Sequence, residues 1–383
     1  MPTNDPTDQG AAAAADVALL LRALALQAVP AETMRLRLEL LSGAEAWERL
    51  LAAAASRRLT SLLVERLRQR GLVPPKPAVP APGLLAPAEV LDRIWQDHIN
   101  TRMRQSTCLL TIVDLLNRAG IEPMLLKGAR SLWLDIEPSR SMRDLDLLVP
   151  GRDAVRANDL LKSEGFAPLP DAAERPNRHH LDLLFRSDMS GWVEVHRRAG
   201  NPYAEAMFPT ATILRRSLPH RRDGLTAHVM PDADHLWHGL VHYHFGHSAF
   251  ARGTLDLKGL AEFATGFVAL ADTARAELIA LARRDGAALA AFDLWLAAAH
   301  SALGMPLDAS IRPPDDAFRV WSEVAARIGG AAGGWKYPGY WEALRLGCDR
   351  RRLARLSPRP RLGGLAARAV VISRLLPKLI REG

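Results

Sequence analysis

The chain contains few of the residues that mark secreted or membrane-spanning proteins. It has two cysteines, Cys108 and Cys348, in 383 residues. They are too few for a disulfide framework and favour a reducing compartment. No uninterrupted apolar stretch reaches the roughly 18 residues of a membrane-spanning helix. Asp5, Asp8 and Asp16 precede or interrupt the first apolar run, which argues against a secretory signal. We therefore expect a cytoplasmic protein.

Positive charge is concentrated in residues 350–383, which we call the basic tail. It holds ten Lys or Arg and one Glu, a net charge of +9, whereas the whole chain carries +8. Basic and apolar residues are interleaved there, so the pattern predicts an amphipathic helix, interrupted at Pro377. The tail is interpreted as a solvated or loosely docked helix, or as a peripheral contact with an anionic inner membrane face. Nucleic-acid contact is disfavoured because the tail has no aromatic residue for base stacking.

The most informative segment is 142–149, which reads Met-Arg-Asp-Leu-Asp-Leu-Leu-Val. Its alternation of polar and apolar residues followed by an apolar run predicts a short strand entering a core. Residues two apart on a strand point to the same face, so Asp144 and Asp146 should project side by side. Two adjacent carboxylates repel each other unless a cation lies between them, and Mg²⁺ prefers such oxygen ligands.

Residues upstream of the aspartates offer groups for phosphate. The segment 123–131 reads Pro-Met-Leu-Leu-Lys-Gly-Ala-Arg-Ser, an apolar strand that runs into a glycine and a predicted helix. Lys127 and the backbone around Gly128 are therefore candidates for binding phosphate oxygens. Arg140 and Arg143 lie just before the aspartates and are candidates for the same role.

A later segment, 191–197, reads Gly-Trp-Val-Glu-Val-His-Arg. Glu194 and His196 share one face of this predicted strand, and Glu194 alternates with valines. A carboxylate on a core strand needs a partner because burying it unpaired is costly. Shared metal ions would supply that partner for Glu194, Asp144 and Asp146.

The motifs at 126–129, 140–149 and 193–196 together resemble an uncharacterised bacterial nucleotidyltransferase family of the polymerase-beta-like superfamily. The segments 242–244 and 252–257 resemble a helical element that follows the catalytic core in that family. The resemblance implies a small mixed sheet with flanking helices and three metal-binding carboxylates. It also implies transfer of a nucleoside monophosphate from a nucleoside triphosphate.

Two candidate site residues follow from this comparison. The superfamily carries Gly-Ser or Gly-Gly at its phosphate turn, whereas here Gly128 precedes Ala129 and the nearest hydroxyl belongs to Ser131. Ser131 is therefore the candidate hydroxyl donor. A histidine-rich stretch at 235–247 is interpreted mainly as core or groove-lining residues, with a dedicated metal site disfavoured. His242 is its candidate for a proton shuttle or a phosphate donor.

The chain divides into five predicted regions. Residues 1–10 are predicted to be a disordered leader, and residues 11–119 a helical region with a proline-rich connector at 73–87. The nucleotidyltransferase core is predicted at 120–231 and a second helical region at 232–349, before the basic tail. The predicted fold is α/β: a small mixed sheet flanked by helical regions.

The sequence predicts a metal-dependent nucleotidyltransferase, with Asp144, Asp146 and Glu194 holding two Mg²⁺ ions. The expected donor is a nucleoside triphosphate, with ATP favoured, and the acceptor is open among small molecules, sugars, peptides and proteins. Two alternatives remain. One is a non-catalytic nucleotide-binding or antitoxin-like partner protein, and the other is a membrane-associated accessory protein acting through its basic tail.

Overall fold

The computed structural model describes residues 6–27, 29–41, 43–73, 87–169, 179–246 and 255–330. Nearly all of the proline-rich connector and the whole basic tail lie outside these residues, as do residues 1–5 of the predicted leader. Helix α1, Pro6–Leu24, begins within that leader. The chain forms two compact units: residues 1–91 with 242–383, the helical unit, and residues 92–241, the sheet unit.

The sheet unit is built on a seven-stranded mixed sheet. The strands are β1 Met124–Leu125, β2 Asp144–Leu148, β3 Ala167–Pro168, β4 His180–Phe185, β5 Trp192–His196, β6 Leu218–Arg222 and β7 Leu225–Val229. Their order in the sheet is β3-β4-β5-β2-β1-β7-β6. Strand β2 runs parallel to β5 and strand β1 parallel to β7, and the other neighbours are antiparallel. This mixed sheet and its flanking helices confirm the predicted fold class.

Helices precede, connect and follow these strands. They are α5 Pro87–Arg118, α6 Lys127–Trp133, α7 Gly151–Ser163, α8 Pro202–Met207, α9 Thr210–Arg216 and α10 Asp232–Val241. Helix α6 follows β1 directly, as the apolar-strand-then-glycine pattern predicted. Helix α7 follows the turn at Pro150 and Gly151, so these two residues end the aspartate strand and start the helix.

Alternation along β2 and β5 separates the core from the opposite face of the sheet. Leu145 and Leu147 of β2 and Val193 and Val195 of β5 are fully buried in one hydrophobic cluster, together with apolar residues of α5 and α7. Because successive side chains of a strand point to opposite faces, the acidic residues of both strands are displayed on the other side. The core therefore fixes which face carries the polar groups.

The hairpin β6–β7 closes one edge of the sheet. Its two-residue turn is Asp223-Gly224, and both residues have positive φ, 52° and 81°. Such a turn matches the right-handed twist of the strands it joins, and Asp-Gly is among its preferred sequences. The dipeptide is therefore the sequence signal for a hairpin that the sequence analysis above does not predict.

The helical unit combines helices from both ends of the described chain. Besides α1, its elements are α2 Pro30–Leu41, α3 Ala44–Ser56, α4 Thr60–Gln69, a π-helical turn His242–Gly246, α11 Leu257–Ala269, α12 Asp272–Ala282, α13 Gly286–Leu303 and α14 Asp315–Gly330. Helix α1 packs against α3, α4, α13 and α14, so N-terminal and C-terminal segments share one core. None of the helices described is long and apolar enough to cross a membrane.

Candidate active site

The register of the central strands assembles an acidic cluster. Strands β2 and β5 pair in parallel, with Asp144 opposite Trp192, Asp146 opposite Glu194, and Leu148 opposite His196. Paired residues of neighbouring strands point to the same face, so the side chains of Asp144, Asp146, Glu194 and His196 share the face away from the core. The alternating patterns at 142–149 and 191–197 therefore place four polar groups on one surface of the sheet.

Three of these residues could hold one metal ion. Donor atoms of Asp146, Glu194 and His196 all lie within 4.8 Å of one another. His196 Nε2 lies 2.9 Å from Asp146 Oδ1 and 3.4 Å from Glu194 Oε2. The imidazole is fully buried, and Asp146 is nearly so. The sequence analysis proposed Asp144, Asp146 and Glu194 as ligands, whereas this group contains His196 in place of Asp144.

Lys127 reaches into the same cluster. Its Nζ lies 2.8 Å from Asp146 Oδ1, the oxygen that also faces His196. Lys127 is the first residue of α6 and has a positive φ of 46°, a backbone conformation that is costly for a side chain with a Cβ. The amide of Leu126 donates to the carbonyl of Asp146 at 3.0 Å. Helix α6 is thus fixed to β2 at the point where Lys127 enters the site.

Electrostatics inside the cluster follow from burial and from these contacts. Burial favours the neutral form of Asp146, but the Lys127 ammonium and His196 outweigh it and lower the pKa of Asp146. The pKa of Asp144 is raised by burial and by repulsion from Asp146. Burial opposes charge on Glu194, yet its hydrogen bond from His196 lowers the pKa of Glu194. The carboxylates draw His196 and Lys127 toward their charged forms, so both pKa values are raised despite burial.

Two further histidines border the cluster. The rings of His179 and His180 lie 5.3 and 5.6 Å from the ring of His196, centroid to centroid. Burial, helped by the neighbouring His196 and His180, lowers the pKa of His179 to about 3. Neither histidine is predicted from the sequence to belong to the site. The antiparallel pairing of β4 with β5 sets His180 opposite His196, and no local sequence pattern indicates that pairing.

Ser131 and Arg140, two of the predicted phosphate ligands, take part in a polar network around the loop after α6. Ser131 is fully buried, and its hydroxyl donates to the carboxylate of Glu137. Nη1 of Arg140 lies 3.4 Å from the same carboxylate. Arg102 of α5 donates to the carbonyls of Ser131 and Ile136 at 3.1 and 2.8 Å. These contacts hold the loop that leads into β2.

Gly128 and Arg143 flank the aspartate strand in different ways. A Cβ at Gly128 would lie 2.8 Å from the sulfur and 3.1 Å from the Cβ of Met142, so a larger residue there would require Met142 to shift. Arg143 is exposed, and its carbonyl accepts from the amide of Trp192 at 3.0 Å. Arg143 therefore presents an exposed cationic side chain next to Asp144 in the chain.

The described histidines of the histidine-rich stretch have different contacts. His238 belongs to α10 in the sheet unit, and its Nε2 donates to the carbonyl of Ala199 at 3.1 Å. His242 begins the π-helical turn of the helical unit, with its ring 5.5 Å from the ring of Tyr243. His244 accepts from Trp295 Nε1 at 3.3 Å. His238 and His244 thus have structural partners, in accord with a core interpretation.

Comparison with known proteins identifies the class. A parallel strand pair that displays clustered carboxylates beside a lysine suits chemistry on phosphates. The chain belongs to a family described as uncharacterised nucleotidyltransferases, which it matches over residues 43–302. The match includes the whole sheet unit and supports nucleotidyl transfer as its general activity. No curated protein and no solved structure matches the chain.

Proposed function

We propose that this protein is a Mg²⁺-dependent nucleotidyltransferase of the polymerase-beta-like superfamily. It moves a nucleoside monophosphate from a nucleoside triphosphate, with ATP the favoured donor, to an acceptor hydroxyl and releases pyrophosphate. The observation that carries this proposal is the set of three carboxylates, Asp144, Asp146 and Glu194, that the paired strands β2 and β5 display on one face of the sheet. Family membership independently supports the same class of reaction.

The residues present fit divalent cations. Asp144 and Asp146 stand next to each other on one strand face, and burial with mutual repulsion raises the pKa of Asp144. A divalent cation bound by both carboxylates would relieve that repulsion. Glu194 stands opposite Asp146 and extends the group to a second position. Bound there, the ions would neutralise triphosphate charge and polarise the acceptor oxygen.

Lys127 and Arg143 are the proposed phosphate ligands. The Lys127 ammonium already lies 2.8 Å from Asp146, where it compensates the carboxylate charge. A triphosphate held against the aspartates would bring its oxygens within reach of the same amine. Exposed Arg143 adds a second cation at the entrance to the strand. Ser131 and Arg140 support the loop instead, because both contact Glu137.

The reaction proposed is an in-line displacement at the α-phosphorus. The acceptor oxygen forms a new bond to phosphorus as the bond to the bridging oxygen of the β-phosphate breaks. Pyrophosphate leaves with the electron pair of that bond, and the proton of the acceptor hydroxyl is released to solvent. Lys127 stabilises charge on the departing phosphates, and Glu194 orients the acceptor side of the site.

Calorimetric titration tests the donor site. ATP, GTP, CTP and UTP would be titrated with and without Mg²⁺ into the wild type, Asp144→Ala and the control Asp114→Ala. Asp114 is an α5 carboxylate paired with Arg118. We expect Mg²⁺-dependent binding of one nucleotide that is lost only in Asp144→Ala. Pyrophosphate release and label transfer from the α-phosphate would then establish turnover. Binding without turnover on any acceptor class favours a partner role, and equal binding by all three proteins contradicts the proposed site.

A further inference from the structure

We propose that the position formed by Asp146, Glu194 and His196 takes a first-row transition-metal ion, such as Mn²⁺, in preference to Mg²⁺. This inference rests on the proposed two-ion function. The two cation positions then differ in chemistry. The position at Asp144 and Asp146 offers only oxygen, whereas the other position offers two carboxylates and an imidazole nitrogen.

Spacing of the three donors suits one ion. Two ligands that are each about 2.1 Å from a metal lie about 3.0 Å apart at right angles and about 4.2 Å apart when opposite. Nε2 of His196 is 2.9 Å from Asp146 Oδ1 and 3.4 Å from Glu194 Oε2, and no pair of donors exceeds 4.8 Å. The two separations that involve Nε2 are therefore close to those of adjacent ligands of one ion.

The imidazole is directed at this position by the fold. His196 ends β5, it is fully buried, and its Nε2 faces both carboxylates. Its other nitrogen, Nδ1, is buried and has no hydrogen-bond partner in the part of the chain that the structure describes. The ring is therefore held by packing and by its contacts with Asp146 and Glu194. A metal ion bound between the two carboxylates would displace the proton on Nε2, and the ring would then supply a nitrogen ligand.

Neighbouring histidines strengthen the nitrogen character of this side of the cluster. The rings of His179 and His180 lie 4.9 Å apart and within 5.6 Å of the His196 ring. Lys127 approaches Asp146 as well, at 2.8 Å. Strand β5 and the residues at the start of β4 thus contribute three imidazoles beside the Glu194 carboxylate, whereas β2 and α6 contribute carboxylates and an ammonium.

Metal chemistry decides between the candidate ions. Mg²⁺ is hard, requires oxygen ligands in near-octahedral geometry and keeps several waters. Imidazole nitrogen binds borderline first-row divalent cations better, and affinity rises from Mn²⁺ through Co²⁺ and Ni²⁺. A mixed set of two carboxylates and one imidazole therefore favours Mn²⁺ or Co²⁺ over Mg²⁺. The all-oxygen pair Asp144 and Asp146 retains the preference for Mg²⁺.

Magnetic resonance on the full chain tests this assignment. Mn²⁺ binding would be followed by the loss of the free-ion signal, and bound Mn²⁺ examined by electron spin echo envelope modulation for coupling to ¹⁴N. We expect a directly bound nitrogen in the wild type, and Mn²⁺ affinity at least about tenfold above that for Mg²⁺ in competition. Bound Mn²⁺ without nitrogen coupling in the wild type overturns the inference and requires no variant.

A pair of variants sharpens the test. His196→Asn should lose the nitrogen coupling and most of the preference for Mn²⁺ but keep binding of Mg²⁺ through the carboxylates. The matched control is His228→Asn, because His228 is also a strand histidine, with Nε2 3.1 Å from Glu122, and should behave as wild type. Nitrogen coupling that persists in His196→Asn contradicts the assignment.

The outcomes separate this inference from the proposed function. Nucleotide transfer with Mg²⁺ alone, together with equal affinity for both ions, keeps the nucleotidyltransferase and rejects the transition-metal position. Nitrogen-ligated Mn²⁺ without transfer of any nucleotide keeps the metal position and rejects the transfer reaction. Either claim can therefore fail while the other stands.

Discussion

One oxygen of Asp146 faces two cationic groups. Oδ1 lies 2.8 Å from Lys127 Nζ and 2.9 Å from His196 Nε2. Charge-assisted hydrogen bonds of this length stabilise a buried carboxylate that would otherwise be costly. Asp144 has no such compensation strong enough to overcome burial and repulsion, since its pKa is raised. Two aspartates one residue apart therefore play opposite roles in the metal-free protein.

We expect substitution of the two aspartates by asparagine to have different effects on the free energy of unfolding. In the absence of metal, Asp146→Asn should lower the free energy of unfolding by about 1–3 kcal/mol, because Lys127 and His196 lose their carboxylate. Asp144→Asn should leave that free energy unchanged or raise it, because it removes a repelled charge. Chemical denaturation in chelator measures both, and both variants should lose metal-dependent nucleotide binding.

Divalent cations supply the control. With saturating Mg²⁺, the wild type should gain stability that neither variant gains, because both lack a ligand of the Asp144 and Asp146 position. Equal destabilisation by the two substitutions in chelator would contradict the charge assignment. It would show that packing, rather than charge, determines the effect.

The sequence could predict the arrangement of side chains within one strand, but it could not predict contacts between distant elements. The alternation in 142–149 and 191–197 predicted that the acidic groups share a face, because periodicity two is visible in the sequence. The pairing of β2 with β5 is non-local, so the entry of His196 into the donor group could not be predicted from either strand alone. The same holds for His179 and His180, whose neighbours come from β5. For Ser131, the decisive partner, Glu137, lies in the irregular loop after α6.

We expect the buried His238 of helix α10 to make the free energy of unfolding depend on pH. Burial lowers the pKa of His238 from 6.5 to about 4, even though its bond to the Ala199 carbonyl opposes this. Between these values the unfolded chain binds the proton and the folded chain does not. Stability is therefore lost as the pH falls from about 6.5 to about 4, at roughly 1.4 kcal/mol per pH unit for this group.

His238→Gln should remove the contribution of His238 to the dependence of stability on pH. The amide can still donate to the Ala199 carbonyl but does not titrate, so the variant should lose less stability than the wild type between pH 6.5 and pH 4. Above about pH 7 the difference between variant and wild type should be constant, which is the internal control. Denaturation curves at stepwise pH measure both ranges. Parallel curves over the whole range would show that His238 does not titrate with this shift.

At the scale of the whole molecule, the candidate site lies in a continuous segment, whereas the helical unit is discontinuous. Residues 92–241 form the sheet unit, and the helical unit joins residues 1–91 to 242–383. All candidate site residues except His242 belong to the sheet unit. Each unit has its own buried apolar residues, among them Leu145 and Val193 in the sheet unit and Leu20 and Trp295 in the helical unit.

Ligand binding should therefore stabilise the two units unequally. In hydrogen exchange on the full chain, Mn²⁺ or Mg²⁺ with ATP should slow the amides of β2 and β5, whose strands hold the ligands. Amides of α3 and α4 should exchange at unchanged rates. Asp144→Ala serves as the control and should show little slowing by Mg²⁺ with ATP. Uniform slowing of both units would show that they open as one cooperative body.

The discontinuous helical unit also imposes an order on folding during synthesis. Helix α1 leaves the ribosome early, but its partners α13 and α14 are made only after the entire sheet unit. The sheet unit needs no later residues for its strands, so it can fold first, domain by domain. The apolar face of α1 must wait through about 300 residues of translation, from Leu24 to Gly330, before its core is complete, roughly 15 to 60 seconds at typical elongation rates. A nascent chain stalled near residue 241 would thus carry a finished acidic cluster beside an unfinished helical core.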